Sequence, residues 1–132
     1  MNKFFNEVFY KTHEKGIGKF GVTKDLAETH GENYEKLTKQ RAREILHHEI
    51  WINNYKKIND PNIAKAATKI AIRKGIKKSN YILKLMASNI SSKIIENIDE
   101  SIKVINQKLD INGLVDLLEI YLSEERGRKW KK

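Results

Sequence analysis

Along almost the whole chain, apolar side chains return every three or four residues, the spacing that gathers them on one face of an α-helix. Nowhere is the alternation of a half-buried strand sustained, so the expected fold class is mainly α, with helix ends set by glycine, proline and capping residues. Phe4, Phe5, Val8 and Phe9 predict an amphipathic helix over 2–14 with its aromatic stripe inward. Gly16, Gly18 and Gly21 stop it, leaving an irregular segment with short extended pieces around Ile17 to Val22. Thr23 is placed to cap a short helix through Asp25, Leu26, Ala27 and Glu28, closed by Gly31. Thr38 opens a longer one that carries Ala42, Ile45, Leu46, Glu49 and Ile50 on one side and runs to about Tyr55.

Asp60-Pro61 is a further start signal, because proline in the first helical turn gives up no hydrogen bond. The helix it opens carries Ile63, Ala66, Ala67, Ile70 and Ala71, small and apolar enough to lie deep between other helices, so this element is expected to be central. Beyond Gly75, the residues Tyr81, Ile82, Leu85 and Met86 predict another apolar face. Two further helices are read over 91–106, from Ile94, Ile95, Ile98, Ile102 and Ile105, and over 111–125, from Ile111, Leu114, Leu117, Leu118, Tyr121 and Leu122. The terminal Gly-Arg-Lys-Trp-Lys-Lys is expected to fray.

At 132 residues the chain fits one compact domain, 1–132, large enough for a core without covalent staples. The absence of cysteine excludes disulfide frameworks, thiolate zinc sites and thiol nucleophiles. A formal charge of +9 draws the protein toward polyanions: nucleic acid, anionic lipid or the acidic polymers of a bacterial wall. Much of that excess is lysine in a chain rich in Asn and Ile, a bias that AT-rich coding also produces. Glu7 interrupts the apolar N-terminus where a signal peptide needs a continuous hydrophobic run, and no window approaches a transmembrane segment.

Among candidate site residues Glu14 stands first, an acid at the end of the aromatic helix followed by three glycines in six positions. A carboxyl partly desolvated there, by Phe20 or another ring, would suit the proton donor of glycosidic cleavage; the competing reading is a surface carboxylate paired with a neighbouring lysine. Gly16, Gly18 and Gly21 also match the dinucleotide pattern G-x-G-x-x-G, but no strand precedes them and no long apolar helix continues them. His13-Glu14 and His47-His48-Glu49 lack the second histidine one turn on that a zincin motif requires, and adjacent His47 and His48 point apart on a helix, so no metal is expected. Trp51 and Tyr55, with Asn53 and Asn54 between them, are suited to stacking on pyranose faces and bonding acetamido groups, although Trp51 reads more readily as a core anchor. The basic tract Arg73 to Lys78 could hold phosphates, yet no nucleic-acid recognition motif accompanies it.

The segments H-E-K-G at 13–16, F-G-V-T at 20–23, A-E-T-H-G at 27–31 and L-T-K-Q-R-A-R-E-I-L-H-H-E-I-W at 37–51 resemble the phage and bacterial N-acetylmuramidases of glycoside hydrolase family 108. The second half, from Ala64 to about Arg126, resembles the helical peptidoglycan-binding region that follows in those enzymes, so 1–60 would be the muramidase-like part and 61–126 the helical part. The resemblance implies a lysozyme-like helical domain that cleaves the β-1,4 bond between N-acetylmuramic acid and N-acetylglucosamine, with no metal or organic cofactor. It puts the catalytic glutamate on Glu14, the Gly-Ile-Thr box on Gly21, Val22 and Thr23, and the tryptophan after the third helix on Trp51.

Two departures stand out. Only six residues, none acidic, separate Glu14 from Gly21, so the family's second carboxylate is missing from its expected place. Lys69 and Arg73 stand where the family has an aspartate and an asparagine, and cations facing the cleft would favour an ionised Glu14. The expectation from sequence is therefore a phage-type peptidoglycan hydrolase, an endolysin or prophage muramidase. Glu14 would be its general acid, Thr23 would position water, and Phe20, Gly21, Trp51, Asn54 and Tyr55 would bind the glycan. It would be made in the cytoplasm and would reach the wall after holin-assisted release. The alternatives are a catalytically inactive wall-binding or phage structural module on the same fold, and a cytoplasmic nucleic-acid-binding helical protein.

Overall fold

A computed structural model describes residues 3–107; the helix read over 111–125 and the basic tail lie outside the described residues. At the centre is the helix opened by Asp60-Pro61, which we label α4 (Pro61–Lys74). The Asp60 carboxylate accepts from the backbone N–H groups of Asn62 and Ile63 at 2.9 and 3.0 Å, satisfying donors that a helix start leaves orphaned. Burial spreads around most of its circumference: Ile63, Ala64, Ala66, Ala67, Thr68, Ile70, Ala71 and Ile72 are all inside. Four of these are alanines, and their small side chains let neighbours approach closely. Helix α1 (Lys3–Thr12) packs against α4 through Phe5, Val8 and Phe9, and α5 (Ile76–Ser91) packs on it from another side. Helix α6 (Ile98–Gln107) in turn covers α5.

The remaining elements surround the ends of this stack. A 3₁₀ turn, His13–Lys15, follows α1, and α2 (Lys24–Thr29) is capped as expected, the Thr23 hydroxyl accepting from Leu26 N–H at 3.3 Å. Thr38 likewise caps α3 (Lys39–Leu46), accepting from Arg41 N–H at 3.1 Å. Between α1 and α2 the chain makes an isolated antiparallel bridge, Lys19 to Val22, within the expected irregular segment. No helix among the described residues is long and apolar enough to cross a membrane.

Three expectations need correction. The helix from Thr38 does not continue as α-helix to Tyr55: after Leu46 it widens into a π-helical turn, His47–Ile52, and a separate 3₁₀ turn holds Tyr55–Lys57. The helix read over 91–106 begins only at Ile98, because Asn97 caps it, its side chain accepting from Glu100 N–H at 3.0 Å. Ile94 consequently lies in a loop and is 82% exposed, while Ile95 is buried with its N–H tied to Ser88. On α5 the inward residues are Ile82, Leu83, Met86 and Ala87, and Tyr81 faces solvent.

The glycine segment is fastened to α4. Ile17 N–H donates to Ile72 C=O at 2.9 Å, and Gly21 sits buried against the same turn. A Cβ on Gly21 would come within 2.8 Å of Leu46 Cδ1 and 3.0 Å of Ile72 Cγ2, and its φ of +97° is one that L side chains rarely adopt. Gly16 has the same need for closeness, since a Cβ there would stand 2.6 Å from the Gly21 nitrogen. Replacing Gly21 with Ala should therefore lower the unfolding free energy by about 1–3 kcal/mol, read as a reduced denaturant midpoint at unchanged slope.

Candidate functional site: a cleft beside the glycine segment

With Gly21 and Ile17 held on α4, the segment forms one wall of a cleft of about 360 Å³. Leu46, Ile50 and Ala71 supply apolar lining, and α2 contributes Asp25 and Leu26. Polar groups enter from several elements: Thr23 and Asp25 beside the α2 cap, Glu49 from the π turn, Lys74 at the end of α4 and Lys77 at the start of α5. Two carboxylates and two ammonium groups around an apolar interior make a pocket of mixed charge, suited to a polar ligand with an apolar face.

Glu49 is the most connected of these residues. Its carboxylate lies 2.8 Å from His30 Nε2 and 3.8 Å from His48 Nδ1, and the two imidazole rings meet edge to face at 6.0 Å. Its backbone carbonyl accepts from the Asn54 amide at 2.9 Å. Outside the cleft lining, Arg41 is paired with Glu32 and, at 3.2 Å, with Glu44. The hydrogen bond to Glu32 raises the guanidinium pKa above its already high value, against a smaller opposing effect of burial.

No known family model matches the chain, and no curated protein or solved structure is significantly similar to it.

Of the residues singled out in the sequence, Gly21 and Thr23 line the cleft, whereas Glu14 does not. Glu14 sits in the 3₁₀ turn just past α1, exposed to solvent, with no side-chain hydrogen bond or ion pair to another described residue. The aromatic enclosure expected from Phe20 is directed elsewhere: that ring is half-buried and lies 6.1 Å from the His13 ring. Lys69 and Arg73 are half-buried and do not line the cleft, so the cations that enter it are Lys74 and Lys77.

The aromatic-amide group does not present itself as a sugar platform. Tyr55 is fully buried, and its hydroxyl donates within the core toward Ser79 Oγ at 2.8 Å and Asn80 Oδ1 at 2.6 Å, so its assignment as a glycan contact is corrected to a structural one. Burial holds that hydroxyl far above the ordinary tyrosine pKa, partly offset by the bond to Ser79. Trp51 is half-buried against Phe4, ring centroids 5.2 Å apart, which is the core-anchor role, and the Asn54 amide is occupied by the Glu49 carbonyl. What periodicity and motif spacing missed were Asp25, Glu49, His30, Lys74 and Lys77. Asp25 was visible as the nearest acid after Thr23, but His30 and Glu49 lie nineteen residues apart and no local pattern joins them.

The π turn also separates two adjacent histidines. His48 is exposed beside Glu49, whereas the His47 ring is set edge-on to Phe5 at 5.2 Å, its Nε2 buried without a hydrogen-bond partner among the described residues. Burial, reinforced by Arg43, lowers the His47 pKa below 6.5. A lowered folded-state pKa means that the unfolded chain takes up the proton first, so stability is full above the ordinary imidazole value and erodes as pH falls from there toward the folded value. Denaturant midpoints measured from pH 7.5 to about pH 5 should fall for the wild type, and a His47→Leu variant should show a shallower dependence across that window.

Proposed function

We propose that the chain is a peptidoglycan hydrolase of the lysozyme-like N-acetylmuramidase type, with the cleft as the seat of the glycan and Glu14 as the proton donor at its edge. The observation that carries this reading is the cleft itself: Gly21 and Thr23 of the F-G-V-T box form its wall, and the H-E-K-G turn leads directly into the segment whose Ile17 lines it. A glycan strand is a polymer and extends beyond a 360 Å³ pocket, so a donor at the rim meets a neighbouring sugar unit. Strand binding over the turn would strip water from the carboxyl, and loss of water disfavours a carboxylate's charged form, the condition a general acid needs. Asp25 and Glu49 supply carboxylates inside the cleft where the family's acidic loop is absent; either could orient the attacking water, assisted by the Thr23 hydroxyl. The net positive charge would hold the protein on an anionic wall.

The solvent exposure of Glu14 favours a second reading, a wall-binding or phage structural module on the same fold that has lost hydrolysis. Purified peptidoglycan distinguishes the two. Hydrolysis should release fragments with muramic acid at the reducing end, and Glu14→Gln should reduce the rate by roughly a hundred-fold or more while wall retention is unchanged. Wild-type protein that sediments with the wall yet releases nothing supports the module. Retention on DNA that falls steeply with salt, without retention on wall, would instead support a nucleic-acid-binding protein.

A further inference from the structure

Three potential metal ligands, one of them the cleft-lining Glu49, converge from two separate stretches of chain. His30 ends α2, while His48 and Glu49 are consecutive residues of the π turn. In a regular α-helix adjacent side chains diverge by about 100° and do not face one object. The wider π turn reduces that divergence, and both His48 and Glu49 reach the His30 ring. Their donor atoms, one from each residue, lie within 4.8 Å of one another, with His30 Nε2 to Glu49 Oε2 at 2.8 Å and His48 Nδ1 to Glu49 Oε2 at 3.8 Å. Donors held about 2.0–2.1 Å from a tetrahedral zinc ion stand roughly 3.3 Å apart, so the observed spacing brackets what that ion requires and small side-chain rotations complete it.

We infer that His30, His48 and Glu49 form a binding site for a divalent transition-metal ion of the zinc class, with a remaining coordination position directed to the cleft that Glu49 lines. Two imidazoles and one carboxylate select zinc or its transition-metal neighbours over calcium and magnesium, which take all-oxygen shells. Three protein donors leave one tetrahedral position for water or a ligand oxygen, the coordination of a reactive or ligand-binding centre rather than of a closed structural one. The Asn54 amide, donating to the Glu49 carbonyl, fixes the turn from which two donors project. Lys74 and Lys77 border the same cleft, so the ligand that suits the open position is a carboxylate-bearing one, able to reach the metal through oxygen and an ammonium group by charge. Nothing in this assignment depends on the muramidase reading, and it holds whether or not the wall is cleaved.

Calorimetric titration of the full chain, lacking any histidine tag, with zinc chloride in a non-chelating buffer tests it. Saturable binding of one ion per chain is expected, accompanied by proton release below pH 7 because His30 and His48 must be neutral to coordinate. His48→Ala alters a side chain that is 57% exposed and, among the described residues, has no polar contact under 3.8 Å, so the fold is kept, and it should weaken zinc by more than about ten-fold. Glu49→Gln should do the same. Absence of saturable binding to the wild type overturns the site, as does zinc binding of undiminished affinity in His48→Ala and Glu49→Gln, which would place the ion on other groups. Loss of zinc binding in both variants, with wild-type circular dichroism, supports it even if peptidoglycan hydrolysis is never observed.

Discussion

The cleft depends on one helix being buried nearly all the way round. Because α4 alternates alanine with isoleucine on its inward faces, α1 and α5 can close on it from different sides and still leave room for the glycine segment to lie across its last turns. The Ile17 to Ile72 backbone bond and the Cβ-free contact of Gly21 with Leu46 and Ile72 then hold that segment against α4. Two walls of the cleft meet at this contact: Gly21 and Thr23 on one side, and Ala71, Lys74 and Gly75 at the end of α4 on another. A side chain at position 21 would push the segment off Ile72 and open the pocket before it changed any polar group.

A second constraint is the widening of α3 into a π turn. Such turns cost hydrogen-bond geometry and persist where packing compensates for them. Here the compensation is visible on both sides: His47 is driven in against Phe5, Ile50 is buried, and downstream Tyr55 carries its hydroxyl to Ser79. The same turn delivers His48 and Glu49 outward to His30. Core packing and the arrangement of the polar cluster are thus two consequences of one local departure from α-helical geometry.

The polar side chains of the cleft are those of Thr23, Asp25, Glu49, Lys74 and Lys77; Glu14, exposed in the turn after α1, is not among them. Asp25 and Glu49 share the pocket with the ammonium groups of Lys74 and Lys77, whereas in the proposed hydrolase Glu14 would be enclosed only by the bound strand. In the hydrolase proposed above, the carboxylates inside the cleft would orient water or a ligand oxygen, and Glu14 would serve the part of a long ligand that overhangs.

Helix content, the centrality of α4, the caps at Thr23, Thr38 and Asp60 and the breaks at Gly16, Gly21 and Gly75 were all legible in the sequence, because each depends on side chains within a turn or two of one another. The extent of the helices before Tyr55 and around Ile94 was not, since the apolar spacing continues through both places and only distant packing and the Asn97 cap interrupt it. Gly21 and Thr23, singled out in the sequence, line the cleft, whereas Tyr55 is taken into the interior by its contact with Ser79 and Trp51 packs half-buried against Phe4. The meeting of His30 with His48 and Glu49, and the entry of Lys74 and Lys77 into the cleft, were decided by the tertiary structure alone. Periodicity records which face of a helix is dry; it does not record which other helix that face will meet.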